Sequence, residues 1–217
     1  MAPSVVLFDL DGTLSDSAPG ILAALRYAFA ANGLEPLDAH TERALLGPPF
    51  YESLPPLIGG EAKLPAVITS YRQQYGEGGM FDTTAYDGIA DVVEYLHGCG
   101  IRLAVATSKP EPYAVPIVEH LGLAAYFETV GGDELDGSLG TKALVIGKVL
   151  RRLGVDPGPE VVMIGDREHD VLGAREHGLR CLGAAWGYAL PGELEHAGAD
   201  PICATPADLL PALGMVA

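Results

Sequence analysis

The chain of 217 residues is 48% hydrophobic and 19% charged, with 13 Lys and Arg against 29 Asp and Glu for a formal net charge of −16. That length allows one sizeable α/β domain, or one domain carrying an insertion, and so acidic a surface excludes nucleic acid polymers and anionic membranes as expected partners. Three widely spaced cysteines, Cys99, Cys181 and Cys203, form no CxxC pair, which excludes a disulfide framework and a cysteine-rich zinc site.

The first residues carry no basic stretch and no apolar run approaches a membrane span, so a soluble cytoplasmic protein, monomeric or homodimeric, is expected. The run Val5-Val6-Leu7-Phe8 predicts a first strand over 5–9. Asp16 or Ser17 then caps a helix with Pro19 in its first turn, which stops at Asn32 and Gly33. Residues from about 16 to 81 show helical patterning without a convincing strand, broken by Gly47-Pro48-Pro49, Pro55-Pro56 and Gly59-Gly60. They read as a helical subdomain inserted after the first strand, which leaves 1–15 and 82–217 as the α/β core. Beyond it, strands are predicted at 102–107, 126–130, 161–166, 180–183 and, more weakly patterned, 201–204. Helices are predicted at 88–97, 111–121, 142–153, 170–177 and 207–213. This alternation predicts a doubly wound parallel sheet with helices on both faces.

In such a sheet ligands bind beyond the carboxyl ends of the strands. The first strand ends in Asp9-Leu10-Asp11-Gly12-Thr13, the second in Thr107-Ser108-Lys109-Pro110, and the fourth in Gly165-Asp166, with Asp170 following; Lys142 opens the preceding helix. Clustered carboxylates repel one another and call for a hard, oxygen-seeking cation such as Mg²⁺. A metal beside a carboxylate nucleophile, a hydroxyl and an ammonium is a constellation for phosphoryl transfer. Gly12 permits a tight turn, and backbone amides there and at the end of the second strand can meet a phosphate. Taken singly, each residue has an ordinary reading as a turn, a strand end or a solvated lysine; together and in this order they point to one site.

These residues resemble the four motifs of the haloacid dehalogenase superfamily, with the insertion similar to its α-helical cap. Phe8 to Leu14, Asp16-Ser17, Gly47-Pro48-Pro49, Tyr86-Asp87-Gly88 and Ala106 to Pro110 look like the phosphoglycolate phosphatase group, while the stretch 165–188 is also similar to 5′-nucleotidases. The resemblance implies a Mg²⁺-dependent phosphatase that takes a small phosphate monoester through a phospho-aspartate. Asp9 would be the nucleophile and a metal ligand. Asp11 would be the acid and base, with its carbonyl on the metal. Thr107 and Lys142 would hold the phosphoryl group, helped by the Gly12 and Ser108 amides. Asp166 would ligate the metal, and Asp170 would be a further ligand or hold a metal-bound water. Asp11 argues against dehalogenation, which needs no proton donor. Phosphonatases use a cap lysine, and Lys63, the only lysine within 16–81, reads as a solvated helix residue. A sugar phosphomutase remains an alternative. A signalling receiver domain shares the chemistry but lacks an insertion after its first strand. Arg43 is the expected specificity residue for a carboxylate-bearing substrate such as phosphoglycolate. His169 reads as solvated, and Trp186 and Tyr188 read as packing residues near the entrance.

Overall fold

A computed structural model describes residues 2–215. Its main sheet has six strands, β1 (Val5–Phe8), β4 (Arg102–Pro110), β5 (Thr129–Asp133), β6 (Val161–Gly165), β7 (Arg180–Ala184) and β8 (Ile202–Cys203). They are ordered β5-β4-β1-β6-β7-β8, and every neighbouring pair is parallel. The expected doubly wound parallel sheet is therefore present. A separate antiparallel ribbon joins β2 (Ser15–Asp16) to β3 (Thr84–Ala85).

Strands β1 and β6 are apolar throughout because both of their faces are covered. Along β1, Val6 and Phe8 enter one core while Val5 and Leu7 enter the other, the period-two alternation of a pleated strand. Val162 and Ile164 alternate with Val161 and Met163 on β6 in the same way. Helices Ile89–Gly98 and Glu111–His120 cover the first face with Val92 and Ile117. Helices Lys142–Leu153 and Glu168–Glu176 cover the second with Val145, Ile146, Val149 and Val171. Leu7 is fully buried, and truncating it to Ala costs about 2–5 kcal/mol by the usual transfer and cavity terms.

Between β2 and β3 the chain forms helices Ala18–Ala31, Ala39–Ala44, Phe50–Ser53, Pro55–Ile58 and Leu64–Gly76, with no strand among these described residues. The β2–β3 pairing closes the base of this segment, supported by Tyr86 N–H donating to the Leu14 carbonyl at 3.1 Å and Thr83 Oγ1 to the Asp16 carbonyl at 3.1 Å. Helices Ala18–Ala31 and Leu64–Gly76 pack together, and Val67, Ile68 and Tyr71 share the core that reaches the sheet.

Several boundaries differ from expectation. The strand expected at 126–130 lies at Thr129–Asp133, after a 3₁₀ turn at Ala124–Tyr126. Gly131 and Gly132 carry no strand signal, yet at Gly131 an added Cβ would lie 2.3 Å from Val149 and at Gly132 2.4 Å from the Lys109 carbonyl, so close packing selects glycine there. Strand β4, expected at 102–107, runs on to Pro110, which is the N-cap of helix Glu111–His120. The helix expected at 170–177 starts earlier, at Glu168, and the one at 207–213 is a 3₁₀ turn at Pro206–Asp208 continued as Leu209–Ala212.

Candidate active site

The strand order reverses about β1, whose neighbours β4 and β6 lead to opposite edges, and a crevice opens at such a reversal. Asp9 follows β1 and its N–H donates to the Ile164 carbonyl at 2.9 Å, which locks the end of β1 to β6. Asp166 follows β6, and Asp170 sits in the first turn of helix Glu168–Glu176, where its Oδ2 accepts the Arg167 N–H at 3.1 Å. Lys142 is the first residue of helix Lys142–Leu153, whose N-cap Thr141 accepts from the Leu144 N–H. A lysine is disfavoured at a helix N-terminus by the dipole, so the carboxylates ahead of it set its place.

Lys142 Nζ lies 2.8 Å from Asp9 Oδ1 and 2.7 Å from Asp170 Oδ1, and donates to the Ala106 carbonyl at 3.0 Å. One ligand oxygen from each of Asp9, Asp166 and Asp170 falls within 4.8 Å of the others, and all three residues are buried. Burial pushes the Asp9 carboxyl up from its ordinary value, against the pull of Lys142 and with a further push from Asp170. Burial, then Asp170 and Asp9, push Asp166 up as well. Burial opposes the charge on Lys142, yet Asp170 and Asp9 together hold its pKa above the ordinary lysine value. Three buried carboxylates against one ammonium are an anionic excess that a divalent cation would neutralise.

The fit to such a cation rests on two observations. Lys142 Nζ is already shared between Asp9 Oδ1 at 2.8 Å and Asp170 Oδ1 at 2.7 Å, so a single ammonium serves three buried carboxylates. Glycines also shape the surroundings. At Gly12, with φ +81°, a Cβ would lie 2.1 Å from Asp166 Oδ2, and at Gly165 a Cβ would lie 2.2 Å from Asp170. The hard oxygen donors suit Mg²⁺. Asp166 is itself oriented, with Thr13 Oγ1 donating to its Oδ1 at 3.2 Å and the Tyr188 N–H to its Oδ2 at 2.7 Å.

The other sequence candidates fall as follows. The Asp11 side chain stands outside the three-carboxylate group and forms an ion pair with Lys109, Nζ to Oδ2 at 3.0 Å, leaving its buried Oδ1 without a hydrogen bond. The Gly12 N–H donates to the Ser15 carbonyl at 2.8 Å, so this amide closes the turn instead of facing an anion. Thr107 is buried within β4, where the pairing with β5 breaks register after Ala106, with its hydroxyl accepting the Lys109 N–H at 3.2 Å, and Ser108 lines the neighbouring cleft. Arg43 does not line that cleft; its guanidinium donates to the carbonyls of Gly187 and Ala189, 3.2 and 3.4 Å away.

Sequence reasoning placed no role on Lys109. Its ammonium, buried, also donates to the Tyr75 hydroxyl at 2.5 Å and lies 4.7 Å from that ring's centre, tying helix Leu64–Gly76 to Asp11. Its position two residues past Thr107 was the available signal. Tyr188 is more than packing: its hydroxyl accepts the Ser17 and Ala18 N–H groups at 2.7 and 3.0 Å and donates to Asp16 Oδ1 at 2.9 Å. Trp186 Nε1 donates to the Thr13 carbonyl at 3.1 Å. His169 is partly buried with Nδ1 unpaired, and His177 meets the Ala143 carbonyl.

Known proteins resemble this architecture. A tyrosine-protein kinase of Mycobacterium tuberculosis, PtkA, is 41% identical over 188 residues, 86% of this chain and 64% of that protein. The chain thus spans under two thirds of that relative's length. A 5′-nucleotidase of Pseudomonas aeruginosa is 35% identical over 87% of this chain and 86% of its own, and a phosphoglycolate phosphatase of Salmonella paratyphi A is 32% identical over 97% and 92%. The crystal structure of a predicted phosphatase from Clostridium acetobutylicum matches with a TM-score of 0.91 at 36% identity, covering 96% of this chain and 97% of that one. The family model for haloacid dehalogenase-like hydrolases matches residues 6–184, and the chain belongs to that family.

Proposed function

We propose that this chain hydrolyses small phosphate monoesters through a phospho-aspartate on Asp9, in a site that uses Mg²⁺. The observation that carries the reading is the buried group Asp9, Asp166, Asp170 and Lys142, with Asp11 two residues from the nucleophile. Its relatives include proteins named as phosphatases and a nucleotidase, which agrees with phosphate esters as substrates.

The carboxylates of Asp9, Asp166 and Asp170 would hold the cation, together with the Asp11 carbonyl; when bound, it supplies positive charge beside the phosphoryl oxygens. An Asp9 carboxylate oxygen attacks phosphorus as the ester P–O bond breaks. Asp11 gives a proton to the departing alkoxide. Asp11 then takes a proton from water as that water attacks phosphorus, the aspartyl P–O bond breaks and orthophosphate leaves. Lys142 offsets charge on Asp9 and Asp170 throughout, and the Thr107 hydroxyl, at the irregularity in β4, would meet the phosphoryl group. The helical segment of residues 16–81 acts as a cap that excludes water.

Phosphate release from 4-nitrophenyl phosphate tests this. Activity should vanish with chelator, return with Mg²⁺ and be lost in Asp9→Asn. Equal rates with and without chelator would remove the metal from the account, and an active Asp9→Asn would remove the nucleophile.

A further inference from the structure

We propose that the cleft beside Asp11 is a leaving-group site for a flat, uncharged aromatic group, so that the esters preferred carry such a ring. The proposal takes the phosphatase reading above for the reacting phosphate and adds the chemistry of what departs.

The cleft, of about 110 Å³, opens at Asp11, Ser108 and Lys109 and runs between β4 and the helical segment. Its walls include Leu45, Phe50, Ile68, Tyr71, Tyr75 and Tyr113. The four rings form a continuous ladder. Phe50 meets Tyr71 edge-on at 4.9 Å, Tyr71 stacks on Tyr75 at 5.2 Å and 15°, and Tyr113 meets Tyr75 edge-on at 5.5 Å. The ladder begins beside the chemistry, because Lys109 Nζ is 4.7 Å from the Tyr75 ring and 3.0 Å from Asp11. A ring carried on the departing oxygen, or one sugar away, reaches it.

Charge argues in the same direction. Two cations line the cleft, and both are committed: Lys109 to Asp11 and Tyr75, and Arg72 to the Leu135 carbonyl and, at 3.1 Å, the Tyr51 hydroxyl. Asp133 and Glu134 also line it, the first accepting the Glu134, Leu139 and Gly140 N–H groups and the second paired with Lys148 at 2.8 Å. A carboxylate on the leaving group would exchange water for largely apolar walls, where Lys109 is already paired with Asp11 and Arg72 already donates to two neutral oxygens. A neutral ring loses little hydration and gains dispersion and edge-to-face contacts. The reading in which Arg43 selects phosphoglycolate therefore has no support in this cleft.

Two sources supply such a ring, an aryl group close to the phosphate or a nucleobase one ribose away. Matched pairs with alike leaving oxygens separate them: benzyl phosphate against cyclohexylmethyl phosphate, and adenosine 5′-monophosphate against ribose 5-phosphate, with 2-phosphoglycolate as the acidic control. For the Mg²⁺-loaded protein, kcat/KM should favour the aromatic member of at least one pair about tenfold, and that pair names the source. Tyr71→Leu, which keeps apolar volume, should bring the ratio towards one. Equal rates within both pairs, or 2-phosphoglycolate as the best ester, would overturn the proposal while leaving the phosphatase reading intact. Absence of turnover on every ester would sink the phosphatase reading instead. Calorimetric titration of benzyl against cyclohexylmethyl phosphate would then decide the cleft alone, tighter binding of benzyl supporting it and equal binding refuting it.

Discussion

Replacing Lys142 by Met removes the one ammonium that faces the buried carboxylates, and the geometry sets the size of the effect. Nζ stands 2.8 Å from Asp9 and 2.7 Å from Asp170, on a side chain only 3% exposed. Deleting one partner of a buried ion pair costs about 3–5 kcal/mol, because the charge left behind has no compensation. For a chain of this length each kcal/mol moves Tm by about 2–4 °C, so the variant should melt roughly 6–20 °C lower. The assay is thermal unfolding followed by circular dichroism at pH 8, in chelator and again in excess Mg²⁺. With the lysine gone, a divalent ion becomes the sole counter-charge, so Mg²⁺ should raise Tm more in Lys142→Met than in the parent. A Tm in chelator within about 2 °C of the parent would refute the reasoning, since it would mean the carboxylates do not depend on this lysine for charge balance.

Three further outcomes follow from single contacts. Gly12→Ala would place a Cβ 2.1 Å from Asp166 Oδ2 in a left-handed turn, so Mg²⁺ affinity measured by calorimetry should fall at least about tenfold, whereas Gly178→Ala, equally left-handed but with no atom within 4 Å, should leave it unchanged. Asp11→Asn should lower kcat by about 10²–10⁴ with Mg²⁺ affinity retained, as its side chain lies outside the three-carboxylate group. Burial opposes the Glu193 charge, but Arg167 at 2.7 Å and the Glu168 and Leu190 N–H groups outweigh it and hold its pKa below the ordinary 4.5. Its stabilising contribution is therefore present above pH 4.5 and fades as pH falls through the lower folded value, so the gap in urea midpoint between the parent and Glu193→Gln should narrow from pH 6 to pH 3.

The parts of the molecule legible in the sequence are those that local chemistry fixes. Apolar runs such as 5–8 and 161–164 have to be strands covered on both faces, and whatever follows them lies at the carboxyl edge. That is why Asp9 and Asp166 could be paired across 157 residues of chain. The parts that were not legible depend on which surface meets which. Nothing near Lys109 in sequence announces that Tyr75 will lie on it, because the contact exists only when helix Leu64–Gly76 packs over the end of β4. Arg43 precedes Gly47-Pro48-Pro49, but its long side chain reaches the Gly187 and Ala189 carbonyls, a destination set by tertiary packing. The β2–β3 ribbon has two residues on each side, too short for any periodicity to register. Gly131 and Gly132 hide β5 because their value is close approach, which propensity reads as a break.

Covalent catalysis by Asp9 is the centre of the account, and rapid acid quench during turnover of a ³²P-labelled phosphate monoester tests it most directly. The account predicts label on the protein within one turnover, released by hydroxylamine as an acyl phosphate must be, mapped to Asp9 and absent from Asp9→Asn. Turnover with no trapped label, or label on another residue, would contradict it.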